Sequence, residues 1–300
     1  MKPLAGNEPL VDVHAHFYHP EAGRADWHDV NAARIRAGDR IGITWHVASA
    51  LGTYGHRSPM YFPSPEDVVV GNDAMREIAA REHTRVRMYA TVNPNYTGHA
   101  LAEIERWVAL GAVGIKLLAS RRADDPLLDP IAELAAARGL PILHHVWQHR
   151  RREWPSQEIS DGADLARLAA RHPRATFILA HIGGGGDWAH TFPAIADYPN
   201  IYPDVSGSGV DRGMLDTALE VLGPERLLWG CDLTMETGLA KLRAFEAIGL
   251  EKEKLSLIRW RNALRIFPAG SFPGLGDPDA RPSKAPQQAA RRAAVQTSDS

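Results

Sequence analysis

The 300-residue chain holds a single cysteine, Cys231, and so can form no internal disulfide. Thiol use this sparse points to a reducing compartment, and a cytoplasmic location is expected. An excess of either charge is also missing. Thirty-four Lys and Arg against 36 Asp and Glu leave a net charge of −2, which gives no global basic field for nucleic acid or an anionic membrane. No uninterrupted apolar run approaches membrane-spanning length, and the opening MKPLAGNEPL lacks the apolar core of a signal peptide. No internal repeat is visible. With sulfur almost absent, any transition metal must be held by imidazole and carboxylate, and the chain has 14 histidines to draw on. The partner this composition favours is a small-molecule substrate, with no nucleic acid and no membrane.

What is present is a regular alternation. Short apolar runs occur at Leu10–His14, Gly42–Ala48, Arg85–Val92, Val113–Leu118, Leu140–Val146, Ala175–Ile182, Asn200–Val205 and Arg226–Cys231. Each has the length of a buried strand, and most are bounded by Gly, Pro or Asn. Between them lie helical stripes: Leu101, Ile104 and Val108; Leu128, Ile131, Leu134 and Ala135 before Gly139; Leu165, Leu168 and Ala169 before His172-Pro173. The steps suit βαβ crossovers. An α/β fold with eight such strands favours a single-domain (β/α)8 TIM barrel over a doubly wound sheet, expected over residues 1–270. Ser49–Ser64, rich in Gly, Pro and aromatics, reads as a loop inserted over one barrel face. Residues 271–300 carry Pro273, Pro278, Pro282 and Pro286 among many Ala and Arg and are expected to form a disordered tail.

The most informative hexapeptide is VDVHAH, residues 11–16. Side chains two apart on a strand share a face, so His14 and His16 project together. At the C-terminal end of a barrel strand that face opens on the active mouth, where two imidazoles suit a divalent ion. Two surface histidines is the plainer reading of the pair alone. Three later strands end alike, in His144-His145, His181 and Cys231-Asp232. Core histidines are not expected to collect at one end of four strands.

The segments VDVHAHFYHP, ATVNPN, GAVGIKLL, LPILHH, FILAHIGGG, RLLWGCD and RNALRIF, in this order across residues 11–267, resemble the amidohydrolase superfamily, in its amidohydrolase-related (amidohydrolase 2) branch. The resemblance implies a metal-dependent TIM-barrel enzyme. It makes His14 and His16 the first two metal ligands and His145 the third. His144 is the alternative, since a one-residue register shift exchanges faces. Asp232 becomes a carboxylate that both binds metal and handles protons, and His181 a histidine outside the ligand set of mononuclear members. One divalent ion is implied, Zn2+ first and Mn2+ as the alternative. Lys116 reads as a substrate contact; in binuclear relatives a lysine on this strand is carboxylated and bridges two metals, and that alternative stays open.

Three imidazoles and a carboxylate leave an open position on such an ion, where the pKa of a water falls to about 7. Hydrolysis of an amide or lactone in a small carboxylate-bearing substrate is therefore the leading expectation. Asp232 would relay the proton and His181 would stabilise the oxyanion. Decarboxylation of a small aromatic or unsaturated acid is the alternative, with His181 or Asp232 delivering a proton to carbon. A metal-independent lactonase or a non-catalytic binding barrel is the third reading. Beyond strand five, Trp147, Arg150 and Arg151 are candidates to contact substrate, the arginines as a carboxylate clamp; a solvated charge run is the equal alternative. Trp45, His46, Tyr54, His56, Tyr61 and Phe62 are candidates for an apolar wall. The Gly183–Gly186 run lacks the residues of a phosphate loop and reads as close backbone approach before Asp187 and Trp188 open a helix. Cys231 reads as a buried strand residue rather than a nucleophile. A homodimer through the outer helices stays open.

Overall fold

The structure, a computed structural model, describes residues 8–20, 25–51, 58–59, 61–146, 158–182, 188–207, 213–232 and 235–276. Its sheet has seven strands: β1 (Val11–Tyr18), β2 (Trp45–Leu51), β3 (Val86–Val92), β4 (Gly114–Leu117), β5 (Pro141–His145), β6 (Thr176–Ala180) and β7 (Ile201–Pro203). They pair in chain order, every neighbour parallel. Parallel neighbours need a crossover, and six helices supply it: α1 (Trp27–Ile41), α2 (Pro65–Arg81), α3 (Thr97–Ala109), α4 (Asp129–Arg138), α5 (Gly162–Arg171) and α6 (Trp188–Ile195); α7 (Met214–Leu222) and α8 (Met235–Ile248) continue the series after β7. The chain then adds α9 (Lys252–Ser256), a π-helical turn (Leu257–Arg261) and α10 (Asn262–Ile266).

Local signals set these boundaries. Ser64 caps α2 by accepting from the Asp67 N–H, with Pro65 in the first turn. Asp161 and Asp164 form a capping box on α5. Helix α4 stops at Gly139, whose φ of +64° places it in the left-handed region.

The run expected as an eighth strand forms no continuous ladder. Leu228 bridges Asp204 and Asp232 bridges Ala15. Leu228 N–H donates to Pro203 O (3.0 Å), and Asp232 N–H to His14 O (2.7 Å). The segment is thus bonded on both sides and closes the curled sheet between β7 and β1. Its extended repeat is broken at Asp232, where φ is +57°. Gly230 permits the close approach: a Cβ there would stand 3.0 Å from His14 Cβ.

Strand alternation sorts the core into two layers. Val47, Tyr89, Leu143, Ile178 and Leu228 pack inside the barrel, whereas Ile115, Leu117, Ile142, Phe177 and Leu179 pack against Ile104, Ile131, Leu165 and Phe192 of the helices. Strand β1 departs from simple alternation. Its register shifts between Asp12 and Ala15, so Val13 joins the interior cluster while Ala15 and Phe17 pack with α2. A bulge re-aims side chains in this way.

Packing continues past residue 270. Phe272 is buried, with its ring centroid 5.4 Å from that of Phe267 and 6.4 Å from that of Trp45. The expected tail therefore contributes core at its beginning; residues 277–300 lie outside the described residues. Among the described residues no helix is long and apolar enough to cross a membrane.

Candidate metal centre

The strand ends bring several sequence candidates to one mouth. His14 and His16, on β1, have their Nε2 atoms 3.2 Å apart. Asp232, after the closing segment, places Oδ1 3.2 Å from His16 Nε2 and 3.8 Å from His14 Nε2. His181, just beyond β6, lies 3.5 Å from Asp232 Oδ2 through Nε2 and stacks on His14 at 5.3 Å between ring centroids. His145, ending β5, sits edge-on to His181 at 4.8 Å, with Tyr61 on it at 5.4 Å. Lys116, on β4, donates from Nζ to His14 Nε2 at 2.9 Å.

Parity explains which side chains arrive. On β5, Leu143 and His145 point inward while Ile142 packs with the helices; His144 shares its side and bonds through Nδ1 to His145 O. On β4, Ile115 and Leu117 face the helices, leaving Lys116 inward. The same rule removes His46. Its neighbours Trp45 and Val47 are interior, and its own ring lies on the helix side, where Nδ1 donates to Asp12 Oδ2 at 3.0 Å. His46 is therefore no wall for a substrate. Trp45 points inward at the other end of the barrel, beside Phe272 and under the Arg87 guanidinium at 4.3 Å. Phe62 packs on Tyr96. Trp147, Arg150, Arg151, Tyr54, His56 and Gly183–Gly186 lie outside the described residues.

Burial sets the protonation states. It lowers the pKa of His14 and His145 well below the ordinary imidazole value, and Lys116 nearby pushes both further down. His16 and His181 are lowered by burial too, against the opposing pull of Asp232. These rings are neutral at neutral pH, the state in which imidazole binds metal. Burial pushes the Asp232 carboxyl up, but His181, His16 and His14 outweigh it and hold the group far below the usual carboxylate range. Lys116 is brought down to about 8 by burial. The Cys231 thiol is buried and raised well above its ordinary value, which suits a packed residue rather than a nucleophile.

The donor set fits a divalent cation. His14 Nδ1 is held by Asp204 Oδ2 at 2.9 Å and by Ser206 Oγ at 3.0 Å. With the Nδ1 proton so placed, the Nε2 lone pair faces the mouth. That lone pair, His16 Nε2 and Asp232 Oδ1 crowd within 3.8 Å, an arrangement that calls for a shared proton or a cation. One difference from sequence expectation concerns His181. Its donor atom, with those of His14 and Asp232, lies in a group spanning no more than 4.8 Å, so the ring sits among the candidate ligands.

A family model described as amidohydrolase matches residues 11–269. The chain belongs to the amidohydrolase family. No curated protein matches it. Solved structures do. The 2,6-dihydroxybenzoate decarboxylase from Rhizobium is 17% identical, with 89% of this chain and 98% of that chain covered at a TM-score of 0.66. The 5-carboxyvanillate decarboxylase from Sphingomonas paucimobilis is 19% identical, with 87% and 98% covered at 0.65. A dihydroxybenzoic acid decarboxylase from Polaromonas sp. JS666, solved with manganese and 2-nitroresorcinol, is 20% identical, with 86% and 96% covered at 0.67. These likenesses establish the TIM-barrel fold.

Three site residues went unread in the sequence. Asp204 and Ser206 follow β7, and Ser49 Oγ, on β2, lies 3.1 Å from His16 Nδ1. Asp204 could have been found: it ends an apolar run as the other candidates do.

Proposed function

We propose that the protein is a metal-dependent carboxy-lyase acting on a small hydroxylated aromatic acid. The observation that carries this reading is a buried ammonium and an aromatic ring at one mouth. Lys116 Nζ lies beside His14, and the Tyr61 ring lies over His145. The ammonium suits a substrate carboxylate, and the ring suits a flat apolar body. Similar folds whose names are aromatic-acid decarboxylases support it, and so does manganese in two of the similar structures. Decarboxylation thereby moves ahead of hydrolysis.

His14, His16, His145 and Asp232 would hold the ion, with His181 beside them. When bound, a divalent ion would supply a Lewis acid that gathers and polarises substrate oxygens. Asp232, charged and at ion-pair distance from His181, would take up a proton from solvent by way of that ring and carry it to the substrate. The proton goes to the ring carbon bearing the carboxylate. The bond from that carbon to the carboxylate then breaks, its electron pair restores the ring, and CO2 leaves. The net step consumes one proton. The Tyr61 ring, 5.4 Å from that of His145, would offer the substrate ring an apolar face.

Hydrolysis of a lactone or amide is the second reading, favoured by the charged Asp232 carboxylate beside the candidate ligands, where it can accept a hydrogen bond from an attacking water. A screen of metal-loaded protein separates the two: hydroxybenzoates carrying a 13C carboxylate, scored for labelled CO2, beside lactones and amides scored for acid release. Labelled CO2 above the rate of a His181→Ala variant is expected. Acid release from lactones or amides with no CO2 from any acid would replace this reading with hydrolysis. Two ions per chain would promote Lys116 to a ligand; Zn2+ in place of Mn2+ would change the metal but not the site.

A further inference from the structure

Behind β1, on the side away from the mouth, lies a buried charge network that the chemistry above does not use. Asp12 Oδ1 accepts from the backbone N–H of His14 at 3.2 Å and of Cys231 at 3.0 Å. Its Oδ2 accepts from His46 Nδ1 at 3.0 Å and from Arg34 at 3.5 Å. The same Arg34 guanidinium, reaching in from α1, donates to the backbone carbonyl of Asp232 at 2.7 Å. Asp12, His46 and Arg34 are all buried.

The network stands where the sheet offers least. Between β1 and the closing segment the bridge is Ala15 to Asp232, and Asp232 holds a left-handed φ of +57°, which a residue with a Cβ rarely adopts. A buried backbone N–H needs a partner, and Asp12 supplies one to His14 and one to Cys231 where the ladder stops. Stability alone is a weak account of such a group, because desolvation of a buried ion pair offsets most of its attraction. Its placement is the better account. It fastens the backbone of His14 and of Asp232, candidate ligands from opposite sides of the seam.

We propose that Asp12 and Arg34 are positioning residues for the metal centre: by clamping the β1 seam they fix the spacing of His14 and Asp232, and His46 holds Asp12 in place to do so. The inference rests on the metal reading above and adds residues to it that touch neither metal nor substrate.

The test is Mn2+ affinity, read from the free-ion EPR signal during titration of the full chain, without substrate. Arg34→Met, Asp12→Asn and the double variant are compared with wild type and with Ile104→Val, a remote core change that lowers stability only. Each single change is expected to weaken Mn2+ binding about 10- to 100-fold, the usual range for groups that orient ligands. The double variant should be no weaker than the worse single one, because the two act as a unit. Ile104→Val should bind as wild type does. If Asp12→Asn does not fold, Arg34→Met decides alone. Folded variants that bind Mn2+ within about threefold of wild type overturn the inference, as does a loss matched by Ile104→Val. A wild-type chain that takes up no Mn2+ overturns the metal reading itself, and this inference with it.

Discussion

His14 has both ring nitrogens committed, Nδ1 to Asp204 and Nε2 to the mouth, where His16, Asp232 and Lys116 meet it. Its neighbours divide the work. His145→Ala is expected to lose bound metal, whereas His181→Ala should keep it and lose about 10²- to 10⁴-fold in kcat, the range for a proton-transfer group. Metal content of the two purified variants checks this; the reverse outcome would make His181 the ligand, as its closeness to His14 and Asp232 allows. Lys241, buried on α8 with its Nζ donating to the backbone carbonyl of Gly207 at 2.5 Å, makes stability depend on pH. Burial lowers it from a free lysine's 10.5 to about 8, so below pH 8 its charge is carried at a cost in the folded state and the unfolded chain holds the proton more tightly. That cost fades as the pH rises from about 8 to 10.5. Stability of wild type relative to Lys241→Met should therefore grow across that window by roughly 3 kcal/mol, measured by urea unfolding. A flat difference would contradict it. His14, His16, His145, His181 and Asp232 were legible because each closes an apolar run. Arg34 was not: on a helix among polar residues it reads as surface, and only the packing of α1 on β1 buries it.

Elements place these side chains, and on β5 the sequence left two faces open, His145 by resemblance and His144 as the alternative, until Leu143 and Ile142 showed which side is inward. Parity was not legible for β1, because a register shift leaves no mark in composition, and Asp12 ends on the opposite side from His14. Nor was the eighth strand, an apolar run that Gly230 and the left-handed Asp232 reduce to bridges. Helix α1 shows how close the fit behind β1 is. Gly38 lies within that helix, where Ala would ordinarily gain about 1 kcal/mol. A Cβ there would stand 2.8 Å from His46 Nε2, and that ring is held by Asp12. Gly38→Ala is accordingly expected to destabilise by about 1–3 kcal/mol through overpacking, read as a lower urea midpoint. A stabilised variant would mean that the His46 ring yields freely.

At the scale of the molecule, the barrel is completed by a short C-terminal stretch that composition assigned to the tail. Pro273, Gly274 and Gly276 around Phe272 read as a loose tail, and its burial depends on Phe267 and on Trp45 from the far end of the chain. A chain ending at residue 276 keeps Phe272 and is the reference. One ending at residue 270 should lose about 3 kcal/mol, the cost of removing a large core aromatic, and calorimetry of both distinguishes them. Equal melting would show that Phe272 adds nothing. The central claim, that strand ends on one barrel face assemble a metal site, is tested most directly by the metal-to-chain ratio of metal-replete protein beside a His14→Ala, His16→Ala double variant. About one ion per wild-type chain, and none in the folded variant, is the predicted result. No bound ion in wild type, or the same ion content in both, would contradict it.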